Sequence, residues 1–260
     1  MTESIDERVH SLRHPVLMAA VALVSLVVSA AVAFRRPVYP SELRLTEWFN
    51  EAPEWVAHLL WPVMQAGTVT AVLVVAVVVG WRARNPWLAI VAAVAGFVTW
   101  FGAKLVKVMV ERGRPLAYLP GIDVRDGRGT GFGYLSGHSA TAACTAAFVA
   151  AVLPPRWRAV AASVAALVGV ARIVHGVHLP ADVVGGWAFG TLVGLAGLGV
   201  ARCTDRSVFL ATSATTSRRR SREVGRQGGS LASRPVDSYP YVEEDQEAQG
   251  APAPQQGQPR

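Results

Sequence analysis

The chain is short of charge, short of cysteine and almost without lysine. Charged residues make up 17% of 260 positions, whereas an ordinary soluble domain carries roughly 25%; 52% are apolar, and the mean hydropathy is +0.32. That balance disfavours a soluble enzyme. The two cysteines, Cys144 inside an apolar run and Cys203 just after one, imply neither a disulfide framework nor a metal cluster. Among 25 basic residues only Lys104 and Lys107 are lysines, and both fall within one apolar run. Stretches such as 15–34 (PVLMAAVALVSLVVSAAVAF) carry no charge over about 20 residues, the length that spans hydrocarbon, so the body of the chain is not disordered. This is the sequence of a membrane protein.

A net charge of +7 and a pI near 10.1 suit nucleic acid in a soluble protein, but here the arginines flank apolar runs and crowd the tail, so no nucleic-acid partner is expected. Reading for charge-poor windows gives about six spans, 15–34, 61–81, 86–110, 138–155, 157–178 and 180–201, of which the Ala- and Thr-rich fourth is the weakest. The expected fold is an all-α polytopic membrane helix bundle with about six transmembrane helices. Ala31-Val32-Ala33 resembles a signal cleavage site, yet its apolar run exceeds the usual length, so the first helix is expected to stay uncleaved. Residues 41–60 mix acids with Trp48, Phe49 and Trp55, the pattern of a helix lying at the headgroups. From residue 202 the composition turns to Ser, Gln, Gly and Pro, dividing the chain into a membrane domain, 1–201, and a disordered cytoplasmic tail, 202–260. Gly186, Gly190 and Gly194 recur every four residues; they serve helix packing within one bundle or between copies, and the oligomeric state stays open. Arg82, Arg84, Arg156, Arg158, Arg8, Arg13 and tail arginines 218–220 fall on one side if the helices alternate. That side is expected to be the cytoplasm, with both termini in it.

Cations at membrane depth are expensive and mark sites facing the bundle interior or a watery cavity. Continued at 100° per residue, Lys104, Lys107, Glu111 and Arg114 fall within roughly 80° of one another. Lys104 suits snorkelling as well as it suits function. Beyond Arg114-Pro115 a glycine-rich loop runs to Ser136-Gly137-His138, where the free N–H groups of a helix start favour phosphate. The fifth span ends in Arg172, His175 and His178, and His178 with Asp182 four residues on forms a carboxylate–imidazole pair that fixes the tautomer.

These segments together resemble the type 2 phosphatidic acid phosphatase family, whose signature is K-x6-RP, then PSGH, then SR-x5-H-x3-D. Here they read Lys107-(x6)-Arg114-Pro115, Leu135-Ser136-Gly137-His138 and Ala171-Arg172-(x5)-His178-(x3)-Asp182, covering roughly residues 60–200. Leu135 stands in place of the proline, removing a restraint before Ser136, and Ala171 in place of the serine, removing a hydroxyl that would reach phosphate or orient Arg172. The resemblance implies that His178 attacks phosphorus, Asp182 orients it, and His138 protonates the leaving group and then activates water. Lys107, Arg114, Ser136, Gly137 and Arg172 would hold the phosphate. No metal and no cofactor is called for, since the guanidinium and ammonium groups stabilise the transferred charge.

The function this implies is a membrane lipid phosphatase acting at the outer face through a phosphohistidine, on a polyprenyl diphosphate of the undecaprenyl type. A phosphatidate or other glycerolipid phosphate is the alternative substrate. An anion transporter is a remoter reading, with no inverted repeat to support it. A zinc site built from His138, His175, His178 and Asp182 is opposed by the surrounding cations. The partners expected are the lipid phosphate and membrane lipids.

Overall fold

Proline starts most of the helices. The computed structural model describes residues 14–204, and among these Pro15, Pro40, Pro86, Pro155 and Pro180 each open an α-helix, where the missing N–H has no intrahelical partner to lose. The elements are α1 (Pro15–Phe34), α2 (Pro40–Asn50), α3 (Glu54–Met64), α4 (Val69–Ala83), α5 (Pro86–Val110), α6 (Gly137–Val152), α7 (Pro155–Val174) and α8 (Pro180–Thr204). Single 3₁₀ turns occupy Gln65–Gly67 and Pro115–Ala117. The one extended pairing among the described residues is an isolated antiparallel bridge, Gly113 with Phe132. The architecture is all-α, as expected. Most of the expected tail, with Arg8, Arg13 and arginines 218–220, lies outside the described residues.

By length and composition α1, α5, α7 and α8 are each sufficient to cross a membrane. The second expected span is a bent pair, α3 and α4, meeting at 61°. The bend has a local cause: Thr68 is extended, and its side chain accepts the Ala71 N–H, so a new helix is capped there. The acidic, aromatic stretch expected as one interfacial helix is therefore two, α2 and α3, broken at Ala52-Pro53, and α3 leads directly into the second span.

The fourth span is α6, only 16 residues long. Its low hydropathy follows from its place, since residues 139–145 are all buried: its neighbours are protein, so small Ala, Ser and Thr side chains replace the exposed Val and Leu of α1. The glycine stripe of α8 faces α6 within this same chain. A β-carbon on Gly190 would strike the Ala140 carbonyl, one on Gly186 would meet Ser136 and Ser139, and one on Gly194 would meet Cys144 and Ala147. Phe148 and Leu198 close the same interface against Leu88, Val91 and Ala95 of α5 and Val79 of α4.

α7 stops four residues before the expected end of its span. Gly176 adopts φ +68°, its N–H bonds the Ile173 carbonyl, and Val177 N–H reaches back to Arg172, a left-handed glycine cap. The turn this creates, residues 175–179, delivers His178 to the end of the bundle where α5 finishes and α6 and α8 begin.

Candidate active site

A cavity of about 360 Å³ opens at that end. Its walls come from the α3–α4 elbow (Gly67, Thr68, Val69), from α5 (Trp100, Ala103, Lys104, Lys107), from Arg114, from the start of α6 (Gly137, His138), from Arg172 of α7 and from His178. Lys107, Arg114, Gly137, His138, Arg172 and His178, named from sequence alone, thus converge. Two of the named set lie behind the wall. Asp182 is fully buried next to His178, and Ser136 caps α6, its Oγ accepting the Ser139 N–H at 3.4 Å and lying 2.9 Å from the Ser139 hydroxyl. Ser136 N–H in turn donates to the Asp182 carbonyl at 2.9 Å, which ties the α6 and α8 starts together.

His178 lies outside the helices, between α7 and α8, and is 2% exposed. Its Nδ1 is 3.4 Å from Asp182 Oδ2. Burial, and then the positive Lys107, Arg172 and Arg114 around it, hold its pKa well below the ordinary imidazole value, so the ring is neutral. With Nδ1 directed at the carboxylate, Nε2 is the nitrogen left free. Asp182 Oδ2 also accepts the Leu179 N–H at 3.0 Å; the acid at the third position of α8 satisfies the backbone donor ahead of the helix, as in a capping box. One residue therefore caps a helix and orients an imidazole.

Two of the cations are held by backbone and the third by side chains. Lys107 Nζ donates to the Gly133 carbonyl at 2.6 Å, and Arg114 Nη1 to the Arg128 carbonyl at 2.5 Å. Arg172 Nη1 lies 3.0 Å from Met64 Sδ and 3.5 Å from Asp126 Oδ2. The Nε donors of Arg114 and Arg172 are buried and have no hydrogen-bond partner. Burial, and next the neighbouring Arg128, lowers the pKa of Arg114 below the usual guanidinium value against the pull of Asp182. His175 turns away: its Nδ1 is 2.7 Å from the Ala171 carbonyl and it does not line the cavity.

Sequence reasoning missed Arg112 and Glu42. Extending α5 as a helix to residue 114 puts Glu111 on the polar face, but α5 ends at Val110 and Glu111 is left-handed, φ 51°, and exposed. The chain turns at that point and carries Arg112 inward instead, to complete burial. Arg112 Nη1 donates to Asp182 Oδ1 at 2.9 Å and Nη2 to Glu42 Oε2 at 2.5 Å, while Glu42 Oε1 accepts the Ala181 N–H at 2.9 Å. Burial alone would lower the pKa of Arg112, but the two carboxylates outweigh it and raise the value. The available signal was a third cation, between Lys107 and Arg114, at a membrane edge. α2 is anchored further by Asn50, which donates to the Asp123 and Val174 carbonyls and accepts the Asp123 N–H.

Residues 85–203 match the family described as the PAP2 superfamily. In structure the chain is similar to a transmembrane PAP2 type phosphatidylglycerolphosphate phosphatase from Bacillus subtilis, with TM-score 0.60 and 20% identity over 71% of this chain and 96% of that one. It is also similar to LpxE of Aquifex aeolicus, with TM-score 0.54 and 19% identity over 62% of this chain and 96% of that one. No curated protein sequence matches it.

Proposed function

Residues 85–203 match the PAP2 superfamily, and on that footing we propose that the chain is a metal-independent lipid phosphatase working through a phosphohistidine on His178. The observation that carries this is the convergence on one cavity of a carboxylate-oriented imidazole, a second histidine and four cations. His178 Nε2 attacks the terminal phosphorus while its bond to the leaving oxygen breaks, and that oxygen, belonging to the lipid monophosphate for a diphosphate or to the lipid alcohol for a monoester, takes a proton from His138. His138 then accepts a proton from water, whose oxygen attacks the phosphohistidine, releasing inorganic phosphate and neutral His178. Lys107, Arg114 and Arg172 bind the non-bridging oxygens, joined by the N–H groups at the start of α6. We give Ser136 an indirect part, holding that helix start in place through its capping hydroxyl.

The substrate reading is a polyprenyl diphosphate, and Lys104 favours it. A snorkelling lysine turns its ammonium toward water; Lys104 instead sets its Nζ 3.4 Å from the Trp100 ring centre, one turn farther from the water end of α5, while lining the same cavity as Lys107. A second cation on the tail side of the phosphate-binding group suits a second phosphate. A glycerolipid phosphate is the second reading, favoured by the phosphatidylglycerolphosphate phosphatase of similar fold. We assign the site to the outer face, with both termini cytoplasmic, from the arginines at the opposite hairpins.

The test is phosphate release by the purified protein from undecaprenyl diphosphate and from phosphatidate, with and without EDTA. Turnover that favours the diphosphate, survives EDTA, is inhibited by vanadate and vanishes in His178→Ala is the expected result. Faster phosphatidate hydrolysis reverses the substrate order. Loss with EDTA and recovery with zinc would overturn the metal-free mechanism.

A further inference from the structure

We propose that Glu42, which lies outside the family-matched stretch, is a positioning residue of the reaction, acting through Arg112 to fix the Asp182 carboxylate that orients His178. The three side chains form one buried chain of charge-assisted bonds, with Glu42 8% exposed and Arg112 and Asp182 fully covered. A guanidinium offers two terminal nitrogens in a rigid plane, and here each takes a different carboxylate, so the Arg112 plane and the Asp182 carboxylate are set together. Glu42 is itself pinned by the Ala181 N–H, one residue before Asp182 in α8. The circuit closes from the other side, because the Gly133 N–H donates to the Arg112 carbonyl at 2.7 Å and the Gly133 carbonyl accepts from Lys107. Without Glu42, half of the fork loses its partner in a place where an unpaired buried charge is costly, the Arg112 plane is no longer fixed, and the Asp182 carboxylate keeps the Leu179 N–H but loses its rigid hold on the other oxygen.

The consequence is that a helix from the amino-terminal segment completes a site whose reacting groups all lie in 85–203. The inference rests on the reading of His178 as the nucleophile, but its first measurement does not need turnover. Histidine ring ¹⁵N spectra of the full chain in detergent, with the His178 signals identified by their loss in His178→Gln, report which nitrogen carries the proton. In the wild type we expect the Nδ1–H form, with Nε2 unprotonated. Glu42→Gln, which keeps the acceptor for Ala181 and removes the charge facing Arg112, is expected to shift His178 toward a mixture of tautomers, as Asp182→Asn does. A wild-type tautomer in Glu42→Gln would overturn the proposal. Should that variant fail to fold, Arg112→Lys, which keeps the charge and loses the fork, gives the same readout.

The kinetic arm uses undecaprenyl diphosphate. Glu42→Gln should lower kcat about tenfold or more with KM changed by less than about twofold, and should add little further loss in an Asp182→Asn background, because both act on one carboxylate. Losses that simply multiply would overturn it. A wild type that turns over neither this lipid nor phosphatidate, with Glu42→Gln still shifting the His178 tautomer, would refute the functional reading and leave the positioning arrangement standing.

Discussion

At residue 133 a single β-carbon would stand 2.6 Å from Asp182 Oδ2 and 3.1 Å from the Gly113 carbonyl, so the loop passes the carboxylate only because that carbon is missing. Gly133→Ala should therefore displace Asp182 and lower turnover by about tenfold or more while the protein still inserts and purifies normally, as phosphate release set against the gel-filtration profile would reveal. Full activity would mean that the loop yields instead. His178 supplies a second residue-level test, through pH. Its folded-state pKa lies well below the ordinary 6.5, so as pH falls past 6.5 the unfolded chain takes up a proton that the folded chain refuses. Stability is present above that value and is lost on acidification, by at most about 1.4 kcal/mol per pH unit until the folded imidazole titrates. Between pH 7 and 5 the melting temperature of the wild type should fall more steeply than that of His178→Gln; parallel slopes would contradict a neutral His178. The Lys107, Arg114, His138, Arg172, His178 and Asp182 set was legible because charge inside apolar runs is rare enough to stand out. Glu42 was not, because it sits among Glu47, Glu51 and Glu54 in a stretch whose acids look alike in sequence, and its partner is 70 residues away.

Among the elements, α8 depends most on what it lacks. Its glycines let the α8 backbone lie against Ala140 and Cys144 of α6, and the same contact carries Asp182 to Ser136. Gly190→Val should prevent that approach and lower both the melting temperature and the activity together, whereas the same exchange at Gly199, where a β-carbon meets nothing, should leave both unchanged; a stable Gly190→Val protein would show that α8 packs elsewhere. The spacing of these glycines was readable, and three of the proline-led helices, at 15, 86 and 180, start where spans were expected, whereas the starts at Pro40 and Pro155 were not read. The 61° elbow between α3 and α4 was not, because Thr68 reads as one more tolerated residue in an apolar run until its hydroxyl is seen capping the next helix. The end of α5 was misplaced for a related reason. The proline at 115 marks a boundary, but it is the left-handed turn at Glu111, four residues earlier, that decides which arginine faces inward.

For the molecule as a whole, the cavity residues lie at one end and the Arg84-Asn85 and Leu153-Pro154 hairpins at the other, so a single measurement of sidedness orients everything. In a background with Cys144→Ala and Cys203→Ser, a cysteine at exposed Gly121 (Gly121→Cys) should react with an impermeant reagent in intact cells. One at exposed Arg156 (Arg156→Cys) should react only after permeabilisation. The opposite pattern would put the site on the cytoplasmic face. The wall formed by Trp100 and Lys104 has a consequence for how this protein must be assayed. Both belong to a helix long and apolar enough to cross the bilayer, so on the proposed function a lipid substrate is expected to reach them by lateral diffusion without leaving its leaflet. The relevant concentration is then a mole fraction of the surface. Adding inert detergent or carrier lipid at constant bulk substrate should slow turnover in proportion to the dilution within micelle or vesicle, and a rate indifferent to that dilution would mean that the lipid reaches the cavity through water.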